Sequence, residues 1–133
     1  RPPLARREFQ CLISAMLQAL ECPADTSLTL VLTNDRESAE LNMAHLGCQG
    51  PTNILSFPEN EEKNLGTLVL SVPALGRECL LYGQPEPEHL VRLLAHGLTH
   101  LLGYDHGPKM DVLSDRAFRK GLALVPNLVL RPD

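Results

Sequence analysis

Apolar residues recur at Phe9, Leu12, Ile13, Met16, Leu17 and Leu20, the spacing that lines one face of an α-helix. Pro2 and Pro3 suit its start, and Pro23 lies beyond its end. The short apolar run Leu28 to Thr33 predicts a buried strand. Asn34 with Glu37 three residues on has the form of a capping pair, so a second helix is predicted through about Met43. Gly47 to Pro51 reads as loop, and Thr52 to Phe57 as a strand stopped by Pro58. Glu59 to Asn64 reads as an exposed connection, Leu65 to Val72 as a third strand, and Pro73 opens a helix to about Tyr82. Pro85-Glu86-Pro87-Glu88 places acids at the positive end of the next helix. That helix runs from about Glu88 to Leu102 and is stopped by Gly103. A last helix spans about Lys109 to Leu122, with Pro126 marking the tail. Helices and strands mix without strict βαβ alternation. The expectation is one α+β domain over residues 1–133, a small mixed sheet packed with about five helices.

Composition narrows the function. With 44 % hydrophobic and 21 % charged residues in 133, the chain is ordinary globular material and long enough for a real core. A formal net charge of −4 argues against nonspecific nucleic-acid affinity, which rests on phosphate neutralisation; any such role needs a local basic groove. No apolar stretch approaches the roughly 20 residues of a membrane span, so a soluble protein is expected. Cys11, Cys22, Cys48 and Cys79 form no C-x-x-C pair, which removes the paired-thiolate zinc patterns. Without a secretory signal they read as free thiols in a reducing cytosol. The chain begins at Arg1, and some N-terminal sequence is expected to have been removed or left out.

The chemistry concentrates between His96 and His106. His96 and His100 are four apart on the predicted helix and stand on the same face. Gly103 then breaks the helix, letting the chain return so that His106 supplies a third imidazole. Three protein nitrogens with one open position is the arrangement of catalytic zinc sites. On a helical wheel Leu90, Val91, Leu93, Leu94, Ala95, Leu98, Leu101 and Leu102 form one apolar arc, with His96 and His100 at its border. His89, two turns earlier and roughly 10 Å away, cannot share the ion. In H-E-x-x-H proteases the residue after the first histidine is the general base; here it is Gly97, so peptide hydrolysis by that route is not expected and the base stays unassigned.

His96-Gly97-Leu98-Thr99-His100-Leu101-Leu102-Gly103-Tyr104-Asp105-His106 resembles the H-G-x-x-H-L-x-G-Y-D-H motif of the YbeY family of bacterial endoribonucleases. Pro51 to Pro58, preceded by Leu41-Asn42, is similar to that family's P-T-D/N-V-L-S-F-P segment. The resemblance implies zinc on His96, His100 and His106 and cleavage of single-stranded RNA. It also implies ribosomal small-subunit RNA as target, a cytoplasmic location, and no membrane or DNA partner. The strand Thr52 to Phe57 would line the cleft beside the metal. Three departures stand out. His45-Leu46 replaces the family's Tyr-Arg, so Leu46 removes a guanidinium suited to phosphate. Gly66-Thr67 replaces Gly-Asp, and no strand precedes the first helix. Asp105 is a candidate to orient a ligand imidazole or to cap the turn. Arg77, Arg92 and Lys109 are candidates for a basic groove, and His45 for the lost tyrosine. A catalytically weak metal- and RNA-binding protein, or another metal-dependent hydrolase, are the competing readings.

Overall fold

The structure, a computed structural model, describes residues 3–46 and 53–129. The first helix, α1, covers Arg6–Ala19 and buries Phe9, Leu12, Ile13, Met16 and Leu17, the face its periodicity defines. Its start is fixed by Glu8, whose Oε1 accepts the Ala5 N–H at 2.7 Å. Pro3 sits just upstream of it, and Pro2 lies outside the described residues. No strand precedes α1 among the described residues.

Three strands follow in a mixed sheet ordered β1-β3-β2: β1 is Ser27–Thr33, β2 Ile54–Glu61 and β3 Asn64–Ser71. β3 is central, parallel to β1 and antiparallel to β2. The expectation of a buried first strand is corrected: β1 is an edge, and Val31 and Leu32 are 38 % and 37 % exposed. The strand buried as a run is β3, with Leu68, Val69, Leu70 and Ser71 all inside. An apolar run marks a strand but does not say which of its sides finds a neighbour.

Pro58 does not stop β2, which runs on to Glu61. At a sheet edge a proline removes no bond that the ladder needs. Pro58 stands opposite Gly66, whose φ of +121° no L side chain adopts easily and where a Cβ would run into the Phe57 carbonyl oxygen. The expected long connection is therefore mostly strand, closed by Glu62 and Lys63, with Lys63 left-handed at φ 73°. Thr52 and the loop 47–51 lie outside the described residues.

The remaining helices are α2 Asp35–Leu46, α3 Val72–Tyr82, α4 Glu86–Leu101 and α5 Pro108–Val129. Asn34 caps α2 as expected, its Oδ1 accepting the Glu37 N–H at 2.9 Å, although the helix runs past Met43 to Leu46. Ser71 caps α3 through the Ala74 N–H. α5 is longer than its sequence suggests, and Pro126 lies inside it rather than in a tail. Ala117, Gly121 and Val125 form a buried stripe at a spacing of four, so packing carries the helix through the proline near its end. A Cβ on Gly121 would sit 2.7 Å from Val91 Cγ1; the helices touch there at backbone range.

One cluster of buried side chains joins α1, β3, α4 and α5, with Leu12, Met16, Leu68, Leu70, Val91, Leu94 and Leu98 at its centre. The architecture is α+β, with the helices packed around a small sheet. No helix of the described residues is long and apolar enough to cross a membrane. Cys11, Cys22 and Cys79 are free thiols, and burial pushes those of Cys22 and Cys79 up. Cys48 lies outside the described residues.

Candidate metal centre

α4 enters the core along its apolar arc and leaves it at its C-terminal end, carrying His96 and His100 to the surface side by side. Their Nε2 atoms are 3.2 Å apart. A tetrahedral ion with bonds of about 2.0–2.1 Å sets neighbouring nitrogens about 3.3 Å apart, so the two imidazoles already stand at the edge length of such a shell. The chain then turns: Gly103 N–H donates to the His100 carbonyl, and Tyr104 N–H to the Thr99 carbonyl. Gly103 takes φ +94°, which only glycine adopts without strain. The turn brings back His106, whose ring centroid is 5.3 Å from each of the other two. One ligand atom from each histidine lies within 4.8 Å of the others, so the group can hold one ion. His96 and His100 are half-buried and His106 is exposed, leaving one side open.

The ring of His100 is oriented. Its Nδ1 lies 3.0 Å from the Tyr104 carbonyl oxygen, which can only accept, so Nδ1 carries the proton and Nε2 presents a lone pair toward His96. A second hydrogen bond of this kind fixes the tautomer of a metal-binding imidazole. Sequence reasoning looked for that role one residue on, at Asp105, which lines the cleft as an exposed residue. A backbone carbonyl has no signature in the sequence. Burial is the main influence holding the His96 imidazole below its usual range; the charges of His100 and His106 add to it and Asp111 opposes it. The net effect favours the neutral ring of His96, whose lone pair is free to donate.

Beside the imidazoles opens a cleft of about 550 Å³, lined on one side by Asn53, just before β2, and by Ile54, Leu55, Ser56 and Pro58 of β2 itself. Ser56 Oγ–H donates to the Gly97 carbonyl at 3.3 Å, tying this strand to α4. A larger groove of about 660 Å³ lies between α1 and β1 but holds none of the histidines. The chemistry, not the volume, marks the site.

Gly97 explains why no base follows the first histidine. A Cβ there would be 2.9 Å from Leu68 Cδ2 and 3.0 Å from Ile54 Cδ1, so this position faces the sheet and not the cleft. A glutamate in its place would point into the core.

Other candidates separate. His89 is buried and pairs with Glu78, its Nε2 2.7 Å from Oε1, away from the triad. Arg77 is engaged by Asp35, and Arg92 lies 4.3 Å over the Phe118 ring and 3.8 Å from Glu88. Neither is a free cation for a groove. Lys109 is exposed at the start of α5. Thr67 sits half-buried in β3 between Thr29 and Phe57. The side chains of His45 and Leu46 lie outside the described residues.

Fold and site together define a small α+β protein with a three-histidine centre opening on a cleft beside an edge strand. The family description Endoribonuclease YbeY matches residues 3–115, and the chain belongs to that family. Endoribonuclease YbeY of Oleidesulfovibrio alaskensis is 42 % identical, the match covering 85 % of this chain and 80 % of that protein. The Nitratidesulfovibrio vulgaris protein of the same name is 40 % identical over 92 % of this chain and 88 % of its own. The solution structure of TM1509 from Thermotoga maritima shares the fold, with a TM-score of 0.69 over 96 % of this chain and 90 % of that one, at 21 % identity.

Proposed function

We propose that this protein is a metal-dependent endoribonuclease that cuts single-stranded RNA in the cleft between β2 and the end of α4. His96, His100 and His106 would hold one zinc ion there. The observation that carries the reading is the triad itself: three neighbouring imidazoles, one locked in its metal-facing tautomer by the Tyr104 carbonyl. When bound, the ion supplies Lewis acidity toward a phosphodiester. The protein's part is to keep the His96 imidazole neutral, to orient His100 through the Tyr104 carbonyl, to hold the β2 wall in place through Ser56, and to leave one side of the centre open. The same reading extends to ribosomal small-subunit RNA as target and to the cytoplasm as the place of action.

The sequence departure at Leu46 favours a second reading, a metal- and RNA-binding protein of weak activity, because leucine cannot meet a phosphate as a guanidinium does. One experiment separates the two: cleavage of a labelled single-stranded RNA by wild type, His100→Ala and Leu46→Arg, with and without chelator. The nuclease reading expects metal-dependent cutting by wild type that drops below about one hundredth in His100→Ala. Zinc-loaded wild type that binds but does not cut, with cutting restored by Leu46→Arg, selects the second. Chelator-resistant cleavage equal in wild type and His100→Ala overturns both.

A further inference from the structure

A chain of polar groups runs from the interior of the molecule to the β2 side of the cleft, away from the three histidines. It starts at His89, on the same helix as His96 and His100 but in its first half. The His89 side chain is 9 % exposed and that of Glu78, on α3, 23 %. Their contact, Nε2 to Oε1, is 2.7 Å. A carboxylate only accepts, so His89 donates from Nε2, and its Nδ1 finds no protein partner. Glu78 in turn receives Asn53 Nδ2, at 3.3 Å from Oε1 and 3.2 Å from Oε2. Asn53 lines the cleft.

Two further polar atoms of Asn53 are also held. Its Oδ1 accepts the Ile54 N–H at 2.7 Å, and its carbonyl accepts the Ser71 N–H at 2.9 Å. A largely buried carboxylate and imidazole are costly to desolvate. Such networks earn their place by fixing one geometry. What this one fixes is a side-chain amide at the mouth of the cleft. Near-equal reach to both carboxylate oxygens is that of one N–H lying between them, and an amide nitrogen carries two. The second N–H remains for a ligand.

Building on the endoribonuclease reading, we propose that Asn53 donates this N–H to an oxygen of the RNA backbone in the cleft, and that Glu78 and His89 are the positioning residues that aim it. The donor is neutral. The carboxylate behind it faces a donating imidazole and not the anionic substrate. Because His89 and the metal-facing histidines share α4, the pair also fixes the β2 wall relative to the centre.

The test compares wild type with Asn53→Ala, Glu78→Ala, Glu78→Gln and the double variant Asn53→Ala/Glu78→Ala. Zinc content, the visible spectrum of the cobalt form, kcat and KM on single-stranded RNA, and RNA affinity by anisotropy are read for each. The expected result is a loss of about tenfold or more in kcat/KM for Asn53→Ala and Glu78→Ala, with zinc content and cobalt spectrum unchanged. Glu78→Gln, which keeps an acceptor for the Asn53 amide, recovers most of the loss, and the double variant is no worse than Asn53→Ala alone. An Asn53→Ala protein that cuts and binds RNA like wild type overturns this inference and leaves the endoribonuclease reading standing. Losses that multiply in the double variant overturn it as well, because the two side chains would then act separately. A zinc-loaded wild type that binds RNA without cutting it moves the same comparison to affinity, and one that neither binds nor cuts sinks both readings.

Discussion

Two opposing effects meet at Gly97. Alanine there gains about 1 kcal/mol of helix propensity over glycine, yet its Cβ enters a space bounded by Leu68 and Ile54 methyl groups at 2.9 and 3.0 Å. Leu68 is fully buried and cannot swing aside, and overpacking of this kind costs about 1–3 kcal/mol. Packing wins, so Gly97→Ala is expected to lower stability by about 1 kcal/mol net, seen as a lower urea midpoint with zinc binding retained. Gly97→Glu, which restores the protease pattern on paper, buries a carboxylate without a partner and is expected to be far more damaging than alanine, with no peptidase activity gained. An alanine variant as stable as wild type would show that α4 sits further from the sheet.

Among the elements, α2 and α3 are joined by Asp35 and Arg77, with Ser71 also donating to Asp35. The hydrogen bond from Arg77 is the main cause that holds the Asp35 carboxyl below its usual 3.8; burial works against it, and the Arg77 charge and Ser71 assist. A folded-state pKa below the unfolded one gives stability that is present above the unfolded value and is lost as pH falls through the folded one. The pair is exposed, so the effect is small. Arg77→Gln is therefore expected to lose less stability than wild type between about pH 5 and about pH 3, measured as the shift in urea midpoint. Equal shifts would remove this pair from the acid response. Legibility in the sequence varied by element for the same kind of reason. α1 and α4 announced themselves because their apolar spacing, Phe9 to Leu17 and Leu90 to Leu101, is what packing demands of a helix. β1 and β3 looked alike as apolar runs, and only pairing decides which is central. Pro58 and Pro126 read as stops, but an edge position and a buried stripe overrode them. That the three histidines come together was legible because they are side chains close in the chain. The Tyr104 carbonyl and the Asn53–Glu78–His89 connection were not: one is backbone, and the other draws on three elements.

For the molecule as a whole, a ligand that binds the folded form stabilises it by about 1.4 kcal/mol for each tenfold excess over the dissociation constant, and so raises its melting temperature with concentration. Zinc is expected to raise the melting temperature of the wild type in this graded way and to leave His100→Ala unmoved, read by a thermal scan across a zinc series. A wild type indifferent to zinc would remove the ion from the centre.

The placement of the three candidate ligands has a bearing on how the molecule is made. His96, His100 and His106 belong to one helix end and the turn after it, whereas the strand that faces them across the cleft is remote in the chain, with Ser56 and Gly97 separated by 41 positions. Contacts that are local form early, and those between distant segments wait for loop closure. On the proposed metal-binding reading, an ion would be captured by a nascent hairpin of chain before the sheet exists, and α4 would then join the assembling core with its metal already in hand. Capturing the ion would then be a local event, but putting it to use would require the whole topology.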